Sequence, residues 1–187
     1  MKSEFKQHLL PLVVIFIVIS VVWIFAKVKW YEFIYLFFGL TWGSYFLDID
    51  HIIYWLYVNP RIEESRLAQI ALKKYDLDAI LKLINSTSNL HTNLIFHHFF
   101  FQVVLSLISI FVFTSTNNTF GMSFMLALNT HLLTEEYHDY LTDKSHLQNW
   151  LFAREKKQLP QNYLGKYLAV FFALNIIFAV LLLNSKI

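Results

Sequence analysis

At 187 residues the chain suits one compact domain, and its 57% hydrophobic and 18% aromatic content, with a mean hydropathy of +0.48, exceeds what soluble domains carry. A formal net charge of only +2 gives no ground for nucleic-acid binding, and the absence of cysteine excludes disulfides, thiolate nucleophiles and Cys-ligated zinc or iron–sulfur sites. Any metal has to be held by the eight histidines and by carboxylates.

Residues 9–26, LLPLVVIFIVISVVWIFA, form an uncharged run about long enough to cross a bilayer as a helix. Lys2 and Lys6 precede it as in a signal peptide. The run is longer than a usual signal core, however, and KVKW follows where a small-residue cleavage site would stand. It is read as a retained anchor. Residues 31–47, YEFIYLFFGLTWGSYFL, predict a second span and 93–113 a third; after the polar turn TSTNN come a fourth over 119–133 and a fifth over 164–183. The predicted fold is an all-α, polytopic membrane helix bundle of about five spans, one integral-membrane domain over 1–187 with short amphipathic cytoplasmic helices.

Between the second and third spans, the 59–90 connector interleaves charged and apolar residues. Leu77, Ile80, Leu81 and Ile84 recur at i, i+3, i+4 and i+7, the face of an amphipathic helix. This connector is expected on the membrane surface or over the bundle, as a plain linker or as a lid. The 134–163 connector is likewise polar and basic, with Trp150 and Phe152 suited to an interface. With five spans, the N-terminus and both connectors share one side, which carries all of the 15 Lys and Arg residues except Lys27, Lys29 and Lys186. The positive-inside rule then places that side in the cytoplasm, in the inner membrane of a prokaryote.

The same topology collects ionisable residues at the cytoplasmic ends of three spans. Asp48, Asp50 and His51 follow the second; His91, Asn93, His97 and His98 open the third; His131, Glu135, Glu136, His138 and Asp139 close the fourth. Such groups are costly in hydrocarbon and as a rule mark a site or a pathway. At about 100° per residue, Asp48 and His51 share a helix face, and His131, Glu135 and His138 fall within about 60°. His91 and His98 align if a helix already exists at His91. Asp48, His51, His91, His98, His131 and Glu135 are the expected metal ligands. Asp50 and His138 are the expected general base or acid, with Asp50 alternatively orienting a ligand. Nitrogen and oxygen donors suit a divalent ion, zinc first, with manganese or iron as alternatives. Blander readings stand beside these: Asp48 and Asp50 as helix caps or headgroup contacts, His97 as a packed or interfacial histidine, Glu136, His138, Asp139 and Asp143 as a solvated helix exit, and His8 and His146 as surface residues.

In order and spacing, these motifs resemble the YdjM-like family of predicted membrane-bound metal-dependent hydrolases over residues 35–143. The family pattern is PDxDH at a helix end, HRxxTHS opening a later span, and H-x3-D closing the next. LDIDH, residues 47–51, matches through Asp48, Asp50 and His51, with Leu47 in the proline's place. NLIFHHF, residues 93–99, is similar to the second motif through His98. Asn93 occupies its first His position, unless His91 takes it in a shifted register, and the motif's Arg, Thr and Ser are missing. HLLTE, residues 131–135, resembles the third with Glu135 in place of Asp. The resemblance implies a metal-dependent hydrolase, and the family's distant likeness to zinc-dependent phospholipase C and zinc nucleases implies phosphoester hydrolysis. A site at headgroup depth would take a lipid or lipid-linked phosphoester, with membrane lipid as the expected partner. A metal there would lower the pKa of bound water toward about 7 and polarise the phosphoryl oxygen. The alternative, from another class, is a non-catalytic membrane protein whose cluster binds a structural metal or lines a cation or proton path. Haem ligation between His98 and His131 would leave Asp48 and Asp50 without a role.

Overall fold

The computed structural model describes residues 4–87 and 91–187, and the described residues are helical with no strand among them. Lys2 of the N-terminal flank and the last three residues of the 59–90 connector lie outside them, as do the side chains of Lys6 and His8. In chain order the helices are α1 (Glu4–Phe25), α2 (Trp30–Phe46), α3 (Ile49–Ile53), a π-helical turn (Tyr54–Val58), α4 (Glu63–Lys73), α5 (Leu77–Thr87), α6 (Phe99–Ser115), α7 (Thr119–Thr142), α8 (Lys144–Leu151) and α9 (Gln161–Asn184).

α7 is the axis of the bundle, packed against α1, α2, α6 and α9. Every residue from Met125 to Leu132 is buried, so this helix is enclosed on all sides. Its interior position does not follow from apolarity, because Ser123, Asn129, Thr130 and His131 are among the buried residues. Polar bonds tie it to its neighbours instead: Asn129 Nδ2 donates to Ser109 Oγ on α6 (2.8 Å), and Thr130 Oγ1 donates to Asn175 Oδ1 on α9 (2.9 Å). Such bonds between helices contribute about 1 kcal/mol each. The outer helices do the reverse. Ile17 and Val18 on α1, Leu107 and Phe111 on α6, and Phe172 and Ile177 on α9 point outward and are exposed. By length and composition α9 is able to cross a membrane, with 24 residues and a mean hydropathy of 2.3 over its most apolar window; the apolar stretches Leu9–Phe25 and Phe99–Ser115 are shorter.

α2 approaches α7 backbone to backbone at Gly39 and Gly43, a small-residue spacing that lets membrane-type helices close up. A Cβ on Gly43 would lie 2.5 Å from the Phe124 carbonyl oxygen and 2.6 Å from the Ala127 Cβ. Gly43→Val is therefore expected to destabilise the bundle by about 1–3 kcal/mol through overpacking. Gly121→Ala, where the nearest atom is 3.8 Å away, should be tolerated. Thermal unfolding followed by circular dichroism in detergent compares the two, and an unchanged midpoint for Gly43→Val would contradict the close approach.

Three local departures from the sequence expectations shape the site. Residues 91–98 are turn and extended backbone rather than the start of the third span, and α6 begins only at Phe99. The connector helices α4 and α5 pack against Tyr54 and Trp55 through Ala68, Ala71 and Ile80, while Leu77 and Leu81 of the expected apolar face stay exposed. Trp150 and Phe152, expected at an interface, are buried: Phe152 lies 5.0 Å from Phe99 and Trp150 6.0 Å from His97, ring centre to ring centre.

Candidate metal centre

The chain bends at Leu47 and Asp48, between α2 and α3. Asp48 makes no capping bond to α3; its charge acts on His131. Two residues on, Asp50 is only 1% exposed and faces residues 91–98. Its Oδ1 accepts the Ile95 N–H (3.1 Å), and its Oδ2 accepts the Phe96 N–H (2.5 Å) and lies 3.1 Å from His97 Nδ1. One carboxylate thus satisfies the irregular backbone and orients a histidine ring. Around His98 the backbone is extended (φ −74°, ψ 143°). His97 turns toward Glu135, while His98, also buried, turns its ring to the start of α6.

His97 Nε2 lies 2.9 Å from Glu135 Oε2, and the other oxygen of that carboxylate, Oε1, lies 3.2 Å from His131 Nε2. His97, His131 and Glu135 each offer one donor atom, and the three atoms lie within 4.8 Å of one another. Both histidines are buried, and the edge of Trp150 covers His97. This group is able to hold a metal ion. Beside it a second set continues the network. His51 Nδ1 faces His91 Nδ1 at 2.7 Å, and His91 Nε2 meets Glu64 Oε1 at 2.7 Å. Thr87 Oγ1 (2.7 Å) and Trp55 Nε1 also donate to that oxygen of Glu64. The π-helical turn, a form frequent at functional sites, brings Tyr54 to stack on His91 with ring centres 4.0 Å apart.

Electrostatics separate these histidines. Burial disfavours a charge on His97, but the carboxylates of Glu135 and Asp50 outweigh it and raise its pKa to about 10. Burial, and then the charge of His97, pushes His51 down to about 3, and burial lowers His91 as well. His97 is therefore an imidazolium at neutral pH, whereas His51 and His91 are neutral. The stability His97 contributes is full below its ordinary value of 6.5 and is lost as the pH rises through about 10. A divalent ion has to displace that proton, so metal affinity should weaken as the pH falls. Calorimetric titration in buffers of different ionisation enthalpy is expected to show about one proton released per ion. Affinity independent of pH would contradict this state of His97.

Of the expected ligands, the fold brings together His131 and Glu135, sets His51 and His91 alongside, and leaves Asp48 acting on His131. His98 stands apart. It caps α6, its Nδ1 accepting the Phe100 N–H at 3.3 Å, and it lies near the charges of Glu155 and Arg154. His97, read as a packed histidine, occupies the place expected for His98. Of the two candidates for the first histidine of the second motif, His91 faces His51, while Asn93 Oδ1 accepts from Arg154 Nε at 3.0 Å. His138 is exposed. Seven residues put it on the face of His131 but about 10 Å farther along the axis, out of reach. Asp50, expected as an acid or base or as a group that orients a ligand, holds His97 and its loop. Glu136 is no solvated helix exit: it is 1% exposed and accepts from Gln102 Nε2 at 3.0 Å. Nor are Asp139 and His146 plain surface residues, because Asp139 Oδ2 accepts from Trp150 Nε1 (2.7 Å) and lies 2.8 Å from His146 Nδ1. The side chain of His8 is outside the described ones. Sequence reasoning missed Glu64 altogether, since it comes from the connector, 27 residues before His91.

No family model, curated protein or solved structure matches the chain.

Proposed function

We propose that the chain is an integral-membrane, metal-dependent hydrolase of the YdjM-like kind, acting on a phosphoester or lipid-linked substrate at the cytoplasmic membrane face. The observation that carries this reading is the His97–His131–Glu135 group, with both histidines buried and a carboxylate behind one of them. A ligand histidine held by an outer carboxylate is the usual support of a metal site. In this reading α1, α2, α6, α7 and α9 cross the inner membrane, and the N-terminus, α3 to α5 and α8 lie in the cytoplasm. Support comes from the inverted distribution of side chains, polar around α7 and apolar on the outer faces of α1, α6 and α9. The basic residues of both connectors supply the orientation.

His97, His131 and Glu135 would hold a divalent ion, zinc ahead of manganese or iron, which supplies Lewis acidity to a phosphoryl oxygen and activates water at neutral pH. Asp50 positions His97 through Nδ1, leaving Nε2 toward the group. Trp150 shuts bulk water away from the His97 ring. Protein in lipid nanodiscs is expected to hydrolyse bis(p-nitrophenyl) phosphate or a phospholipid with a chromogenic head group, to stop after chelation, and to recover with zinc. Bound metal without turnover on either probe would favour a structural metal site or cation path. Absence of bound metal would dismiss both readings.

A further inference from the structure

We propose that His51 and His91 form a second cation site beside the His97–His131–Glu135 group, so that the centre takes two divalent ions. The two Nδ1 atoms converge from separate elements, α3 and the 91–98 segment, to 2.7 Å, with both residues buried. The surroundings of His91 are those of a ligand. Its far nitrogen, Nε2, meets Glu64 Oε1 at 2.7 Å, which fixes the proton there and leaves Nδ1 with its electron pair directed at His51. Glu64 is itself held by Thr87 and Trp55, and Tyr54 stacks on the ring and sets its plane. Four residues thus serve to aim one nitrogen at a point it shares with His51.

The competing reading is a plain hydrogen bond in which His51 Nδ1–H donates to His91. Two imidazole nitrogens bound to one tetrahedral ion at about 2.0–2.1 Å stand about 3.3 Å apart, so the pair, at 2.7 Å, would open by about half an ångström on taking the ion. Position favours the ion. The ring centres of His51 and His97 are 5.9 Å apart, so the two donor sets lie side by side. Paired ions that clamp the attacking and leaving oxygens are a recurrent solution for phosphoester displacement. This use of the second ion rests on the hydrolase reading; the site itself rests on the donors.

Counting ions separates the two. Chelator-treated protein in nanodiscs would be reloaded with zinc, freed of excess and analysed for zinc per chain, with circular dichroism and size exclusion confirming folding. Two ions per chain are expected for the wild type and one for His91→Gln or His51→Gln. Glu64→Gln keeps every donor in place and should hold the first ion unchanged, while affinity for the second falls about 10–100-fold. One ion in the wild type, retained in His91→Gln, would overturn the second site and leave the first standing. Two ions in both the wild type and the His51 and His91 variants would overturn the assignment, and no ion in the wild type would overturn the hydrolase reading as well.

Discussion

His97→Ala is expected to remove the ion held with His131 and Glu135, whereas His98→Ala, one residue away, should leave metal content unchanged. The contrast follows from where the two rings lie: His97 Nε2 is 2.9 Å from Glu135 Oε2, while His98 Nδ1 is spent on capping α6. Removing His97 deletes a direct bond, so the loss of affinity should exceed the about 10–100-fold that removal of an outer partner causes. It also leaves the buried Asp50 and the partly buried Glu135 without the cation between them. Breaking such a buried pair costs about 3–5 kcal/mol, so the metal-free variant should unfold more readily as well. Elemental analysis of detergent-purified variants makes the comparison, with His131→Ala expected to behave as His97→Ala does. Equal metal in all three variants would remove the group from consideration.

Asp50→Ala should be the most destabilising single change at the site. Its carboxylate, on a residue 1% exposed, is the acceptor for two backbone N–H groups and the partner of the His97 imidazolium. Truncation leaves a buried cation and two buried donors with nothing in their place, a loss of about 3–5 kcal/mol. Asp50→Asn keeps an acceptor oxygen but not the charge and should be milder, retaining metal with affinity lowered about 10–100-fold. Unfolding curves and amide exchange at Ile95 and Phe96 report the two effects. Wild-type stability in Asp50→Ala would show that the 91–98 segment is held by something else.

Sequence periodicity carried the fold further than the site. The apolar runs gave the positions of the long helices because bundle helices are continuous and their composition contrasts with the connectors. The start of α6 was misplaced by six residues' worth of apolar and aromatic side chains, NLIFHH, which read as helix but belong to a segment whose amides bond to Asp50, 45 positions earlier. That bond is tertiary and leaves no local trace. The exchange of His97 for His98 has the same origin, since helical spacing does not apply before Phe99. For His138 the angle around α7 was sound, but the rise along it was neglected. Glu136 looked solvent-facing because it follows Glu135, yet Gln102 on α6 and Tyr167 on α9 enclose it. The convergence of acidic and imidazole groups from three helix ends was legible, because so few ionisable residues interrupt the apolar sequence.

The claim that His97, His131 and Glu135 hold a metal is tested most directly by zinc K-edge X-ray absorption on zinc-loaded protein. The expected spectrum has nitrogen and oxygen scatterers at about 2.0–2.2 Å, with the outer-shell pattern of coordinated imidazole reduced in His97→Ala and His131→Ala and unchanged in His98→Ala. A spectrum of oxygen scatterers alone, the same in all four proteins, would place the zinc on surface carboxylates and contradict a metal centre at His97, His131 and Glu135.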